Sequence, residues 1–221
     1  MTENGFEYVD LGLPSGTMWA TCNVGAAKPE DWGLLFQFGR VDGYLYNDKH
    51  NQFKTDDTPL TTSGKVYKAN DILDLVDDAA HVNMGGKWMM PTNDQLKELH
   101  KNTKHEIERI DGIKGMLFTS NINNNQLFVP FTGFWHNDNF IDAGINTSIW
   151  SSQVRASSTV YAYRIYCSCG NGVYTNNFYY RSAAYSVRGV FKSNDTSNEH
   201  KNNINMLIWV FLLRLCGLLA M

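Results

Sequence analysis

Asn171-Gly-Val-Tyr-Thr-Asn-Asn-Phe-Tyr-Tyr-Arg-Ser-Ala-Ala-Tyr-Ser-Val-Arg-Gly189 sets five aromatic residues among Asn, Ser, Ala and Arg. Buried as strand, the run is core; exposed as loop, it is a contact surface. Upstream, Thr159 to Cys167 reads as a strand. A period of two puts Ile165 and Cys167 on one face and Arg164 and Tyr166 on the other.

Working outward, Phe6 to Gly25 reads as strand, turn and strand, with Leu13-Pro-Ser-Gly16 as the turn. Pro29 to Trp32 carries a helix-start signal, and Leu35 to Phe38 reads as a buried strand. Gly43 to Asn70 is a long polar connection. Asp77 to Met84 suits a helical turn closed by Gly85-Gly86. Thr92-Asn-Asp-Gln95 is a capping box, which predicts a helix from Asn93 to about Asn102. Further strands are expected at Gly115–Ser120, Gln126–Pro130, Phe131–Trp135, Ile149–Gln153 and Tyr185–Phe191. Asn121 to Asn125 reads as a hairpin turn, and His136 to Asn139 and Gly144 to Ser148 as loops. One or two helices followed by a strand-rich half with long loops predicts an α+β domain over residues 1–192. A polar linker follows at 193–203, then an apolar tail at 204–221.

The chain has 221 residues, 43% of them apolar, enough to bury a core. Its net charge of −3 gives no electrostatic footprint for nucleic acid. Met1 to Tyr8 has neither a basic nor an apolar run, so no secretory signal is expected there. In the tail, the sixteen residues from Met206 to Met221 are apolar except Arg214. A spanning helix needs roughly 20 such residues. The tail therefore leaves four readings open: a membrane span, an interfacial helix, a partner helix, and a segment not natural to the domain.

Several blocks resemble a known family. Tyr8-Val-Asp-Leu-Gly-Leu-Pro-Ser-Gly-Thr-Met-Trp-Ala-Thr-Cys-Asn-Val-Gly-Ala26 and Asp77-Asp-Ala-Ala-His-Val-Asn-Met-Gly-Gly-Lys-Trp-Met-Met-Pro-Thr92 resemble the opening and middle motifs of the Fibrobacter succinogenes major paralogous domain. Phe128-Val-Pro-Phe-Thr-Gly-Phe134, Trp150-Ser-Ser152 and Tyr185-Ser-Val-Arg188 resemble its last three blocks. The resemblance runs from about residue 6 to 191. It implies a C-type-lectin-like fold with one or two short helices, small antiparallel sheets and long loops. It also implies a ligand-displaying role, as in Bacteroidetes surface proteins and gut phages. Some members are similar to variable proteins of diversity-generating retroelements. On that pattern Trp150 to Ser152 open the variable segment, and Ser186 to Arg188 close it. The resemblance implies Val173 and Val187 as scaffold, Tyr185 as packed, Arg181 and Arg188 as framework, and Asn176 to Tyr180 and Ser182 to Ala184 as the contact set. Cys167 and Cys169 depart from the pattern.

The ligand-contact residues so implied are Val154, Arg155, Arg164, Tyr166, Tyr174, Asn176, Asn177, Phe178, Tyr179, Tyr180, Ser182, Ala183 and Ala184. Tyr, Ser and Asn with Arg is a paratope-like mixture: Tyr offers large area for two torsions, and Asn and Ser adapt their hydrogen bonds. The expected partner is a cell-surface protein or glycan, with virion or cell-surface placement. No catalytic residue, metal ligand or cofactor is assigned. Trp135-His-Asn-Asp-Asn139 reads as a solvated Asx-rich loop rather than a Ca²⁺ site, which needs 6–8 oxygens. Asp77 and His81, four apart, suit one helical face, whereas His100 and His105 do not. A lectin-fold enzyme of formylglycine-generating type working through Cys167 or Cys169 is the alternative, and a structural adhesin module is a third reading.

Overall fold

A computed structural model describes residues 1–47, 61–170 and 172–193. The chain is mostly β, with 45% strand and 10% helix. This corrects the α+β, C-type-lectin-like expectation. Two segments account for much of the difference. Thr103–Ile110 (β5) and Gly172–Tyr180 (β12) are strands of eight and nine residues, where the sequence suggested connection and loop.

Three sheets carry the structure. The first orders Thr2–Glu3 (β1), Phe6–Asp10 (β2), Thr17–Asn23 (β3) and Arg188–Lys192 (β14). The second is a meander of β5, Ile113–Ser120 (β6) and Gln126–Pro130 (β7). The third orders β12, Tyr161–Ser168 (β11), Asn146–Val154 (β10), Ala184–Ser186 (β13), Phe134–His136 (β8) and Asn139–Ile141 (β9), with Leu35–Gln37 (β4) pairing β13. Its β10–β13 pairing is parallel and the rest are antiparallel.

Both expected helices form. Asp78 caps Ala79–Met84 (α1) by accepting from the His81 amide at 2.9 Å. Asn93–Lys101 (α2) has the full capping box of Thr92 and Gln95, and buries Leu96 and Leu99. Pro29 to Trp32 is a turn rather than a helix; Asp31 bonds back to Lys28 instead. Two hairpin turns show why their sequences are polar. Asp111 and Gly112 joining β5 to β6, and Asn137 and Asp138 joining β8 to β9, all have positive φ. A two-residue turn of that hand matches strand twist, and Asn, Asp and Gly tolerate it best. The expected strand over Tyr185–Phe191 is divided at Val187 between two sheets.

The core has two main parts. One gathers Phe36, Phe38, Trp88, Trp150, Tyr185 and Phe191. The other packs Trp19, Leu96, Leu99, Phe118, Ile149, Ile165 and Cys167. Gly189 lies where a Cβ would come within 2.7 Å of Met84 Sδ and 2.9 Å of Trp88, so only glycine lets α1 and Trp88 close onto β14. Thr132, Thr147 and Ser186 join hydroxyls at 2.8 and 3.1 Å inside the core.

Arg188 is fully buried. It donates to Asn23 Oδ1 (3.0 Å), to the carbonyls of Ala20 (3.1 Å) and Thr21 (2.6 Å) on β3, and to that of Phe128 (3.2 Å) on β7. Burial lowers its pKa to about 10, still cationic at neutral pH. One side chain thus ties the first sheet to the second. Arg188→Ala removes the donor from four acceptors, three of them buried, and we expect a loss of about 3–5 kcal/mol of stability in urea unfolding. A loss below about 1 kcal/mol contradicts this role.

Residues 48–60, and the linker and tail beyond Ser193, lie outside the described residues, as do the readings made of that tail. Among the described residues no helix is long and apolar enough to cross a membrane.

Candidate binding surface

Nine of the thirteen expected contact residues lie on a three-stranded ribbon, β10–β11–β12, at one edge of the third sheet. Register sets which side chains meet. Trp150, Arg164 and Asn177 form one cross-strand row. Ser148, Tyr166 and Tyr174 form the next. Ala162 pairs with Tyr179. Directly paired residues share a face, so Arg164, Tyr166, Tyr174, Asn177 and Tyr179 come together. Ile165 and Cys167 point the other way, into the core beneath α2.

Arg164 is the centre of this face. It is only 7% exposed. Its Nε donates to Asn177 Oδ1 at 3.2 Å and its Nη1 to Ser148 Oγ at 2.8 Å. The guanidinium carbon lies 4.7 Å from the ring centres of Tyr179 and Tyr185, and 5.0 Å from that of Tyr166. Desolvation lowers its pKa, opposed by nearby tyrosines. Tyr166 and Tyr174 lie 6.3 Å apart further out, and Tyr174 is 46% exposed. Tyr185 is fully buried, its hydroxyl has no hydrogen-bond partner among the described residues, and burial raises its pKa.

Other expected contact residues stand elsewhere. Arg155, Phe178 and Tyr180 gather around Tyr161 on the opposite face, with the Arg155 guanidinium 3.3 Å from the Phe178 ring centre. Asn176 is exposed with φ 55°, where the β11–β12 register shifts, and its Oδ1 accepts from Asn93 at the start of α2. Its side chain therefore fastens the ribbon to the helix. Val154, Ser182, Ala183 and Ala184 are buried, and the Ser182 carbonyl accepts from Gln37. Burial withdraws these four from contact with a ligand.

Sequence reasoning missed Ser148 and His136. Ser148 is buried under Arg164, where no local pattern marks it. The His136 ring lies 5.4 Å from Tyr179 and 6.1 Å from Tyr180. The strand β5 also went unread, although Asp111-Gly112 between Ile110 and Ile113 is a hairpin signal.

Cys167 is buried, and desolvation pushes its thiol up to about 12. It is a protonated core residue at neutral pH, and the thiolate is the nucleophilic form. Cys169 packs against the same core. Asp77 and His81 do not meet. Asp77 accepts from Ser63 and from the Tyr67 hydroxyl (2.7 Å), while His81 Nδ1 lies 3.1 Å from the Trp88 carbonyl. Among the described residues no group of three His, Cys, Asp or Glu side chains is arranged to hold a metal. A separate groove of about 750 Å³ runs between α2 and β14, past Leu75, Met89 and Phe191, away from the ribbon face.

In comparisons with known proteins, no family model, curated protein or solved structure matches this chain.

His100 and His105 do meet, because the chain leaves the helix at Lys101 and returns along β5. Their rings stack at 4.8 Å, and His105 also abuts Phe118. Burial, then the charge of His100, lowers the His105 pKa. A histidine whose folded pKa lies below its unfolded value of about 6.5 binds its proton more readily when unfolded. Its contribution is therefore complete above about pH 6.5 and is lost as pH falls toward the lowered value. The thermal midpoint should fall between pH 7.5 and 5.5, and His105→Phe should lessen that fall. An unchanged pH dependence in His105→Phe contradicts this reading.

Proposed function

We propose that this chain is a non-catalytic recognition domain that meets a cell-surface protein or glycan with the Arg164–Tyr166–Tyr174–Asn177–Tyr179 face. The observation that carries the reading is the register: residues far apart in sequence share one face, held by Arg164 and fringed by exposed tyrosine. Tyrosine and asparagine supply contact area and adaptable hydrogen bonds at small entropic cost. The opposite side of the same strand anchors in the core through Ile165 and Cys167, so the outermost residue, the exposed Tyr174, can change with little effect on packing. Such a division suits a diversified surface, in keeping with the resemblance to retroelement variable proteins and with a setting on a virion or cell-surface assembly.

The test uses labelled protein on bacterial cells, read by flow cytometry. Tyr166→Ala with Tyr174→Ala, both away from the buried core, should weaken binding about tenfold or more, as two aromatic contacts of about 1 kcal/mol each imply. Far-UV circular dichroism should be unchanged. A correctly folded double variant that binds as the parent does overturns the proposal.

A further inference from the structure

The buried arginines are not used alike. Arg188 spends its guanidinium on three backbone carbonyls and Asn23, and Arg181 donates to the Thr159 carbonyl. Arg164 bonds two neutral side-chain oxygens through Nε and Nη1, and Nη2 has no hydrogen-bond partner among the described residues. Two of a guanidinium's five N–H donors are engaged, and three remain along its Nη edge. No carboxylate among the described residues forms an ion pair with it. The groups that act on it are Tyr185, Tyr179, Tyr166 and Cys167, and none of them is a carboxylate. A buried cation without an anion is costly, and a fork of free donors matches the two oxygens of a carboxylate.

The surroundings narrow the class of molecule. Asn177, half-buried, uses its amide oxygen on Arg164, which leaves its amide N–H groups as donors. The Tyr166 and Tyr174 rings pair on the same face, 6.3 Å apart, and Tyr174 is exposed. Neutral donors and acceptors of this kind suit sugar hydroxyls, and tyrosine rings suit the apolar face of a pyranose.

We propose that Arg164 anchors a carboxylated sugar, a sialic or uronic acid residue of a surface glycan, across its Nη edge, with the sugar ring against Tyr166 and Tyr174. This rests on the recognition reading above and names its ligand class. Asn177 and Ser148 fix the guanidinium plane before the sugar arrives, which lowers the ordering cost of binding.

The test titrates the full chain with 3′-sialyllactose and a glucuronic acid disaccharide, each as free acid and as methyl ester, with lactose and a glutamate-rich peptide alongside. Titration calorimetry and saturation-transfer NMR supply the readout. At least one free acid should bind, with its ester weaker by tenfold or more. Arg164→Lys, which keeps the charge but loses the fork, should weaken the acid at least tenfold. Should Arg164→Lys fail to fold, Tyr174→Ala on the exposed rim should weaken the acid threefold or more. Equal binding of acid and ester, binding of the peptide without either sugar, or no binding at millimolar concentration overturns the assignment. Those outcomes leave the recognition reading to its own cell-binding test. Loss of that reading appears separately, as unchanged cell binding in the Tyr166→Ala, Tyr174→Ala variant.

Discussion

The structure turns on the nine residues from Ala184 to Lys192. As β13 they lie between β10, β8 and β4; as β14 they close the first sheet against β3. Midway, the Arg188 guanidinium reaches the second sheet through the Phe128 carbonyl. All three sheets therefore share one short segment. Its burial is nearly complete, because three layers cover it at once. A charged side chain is tolerated here because its guanidinium is hydrogen-bonded to three backbone carbonyls and one amide oxygen.

The recognition face depends on this frame. Trp150 bonds the Phe36 carbonyl at 2.8 Å and packs edge-on against Tyr185 at 4.8 Å. Tyr185 in turn lies under Arg164. The face is thus layered: fixed tryptophan and tyrosine below, an oriented arginine between, and half-exposed tyrosines above. β12 stands at the sheet edge, held by β11 on one side and by the Asn93–Asn176 bond to α2. Rigid support beneath a tolerant outer layer is the arrangement a binding surface needs.

Much of the frame was legible in the sequence. The capping box at Thr92, the strand at Thr17–Cys22 and the alternation of Ile165 with Arg164 all follow from local rules, and all three form. What was not legible is long-range. Gly172–Tyr180 is polar and aromatic on both sides, so no alternation marks it as strand; its pairing with β11 supplies the order. Ser182, Ala183 and Ala184 looked like surface because they are small and polar or weakly apolar. Ala184 is buried because β13 runs through the middle of a sheet, and Ser182 and Ala183 are buried in the turn that leads into it, where the Ser182 carbonyl accepts from Gln37 and the Ala183 amide donates to the Tyr180 carbonyl. The α+β expectation erred for a related reason. It counted the helices that announce themselves with caps and overlooked strands whose only signal was a turn such as Asp111-Gly112.

Hydrogen–deuterium exchange read by mass spectrometry tests the shared segment most directly. Peptides spanning Ala184–Lys192 should exchange only with global unfolding, as slowly as those of β10, while β12 peptides exchange sooner from their edge position. Exchange of Ala184–Lys192 ahead of the β5–β6 hairpin would contradict the claim that this segment holds the three sheets together.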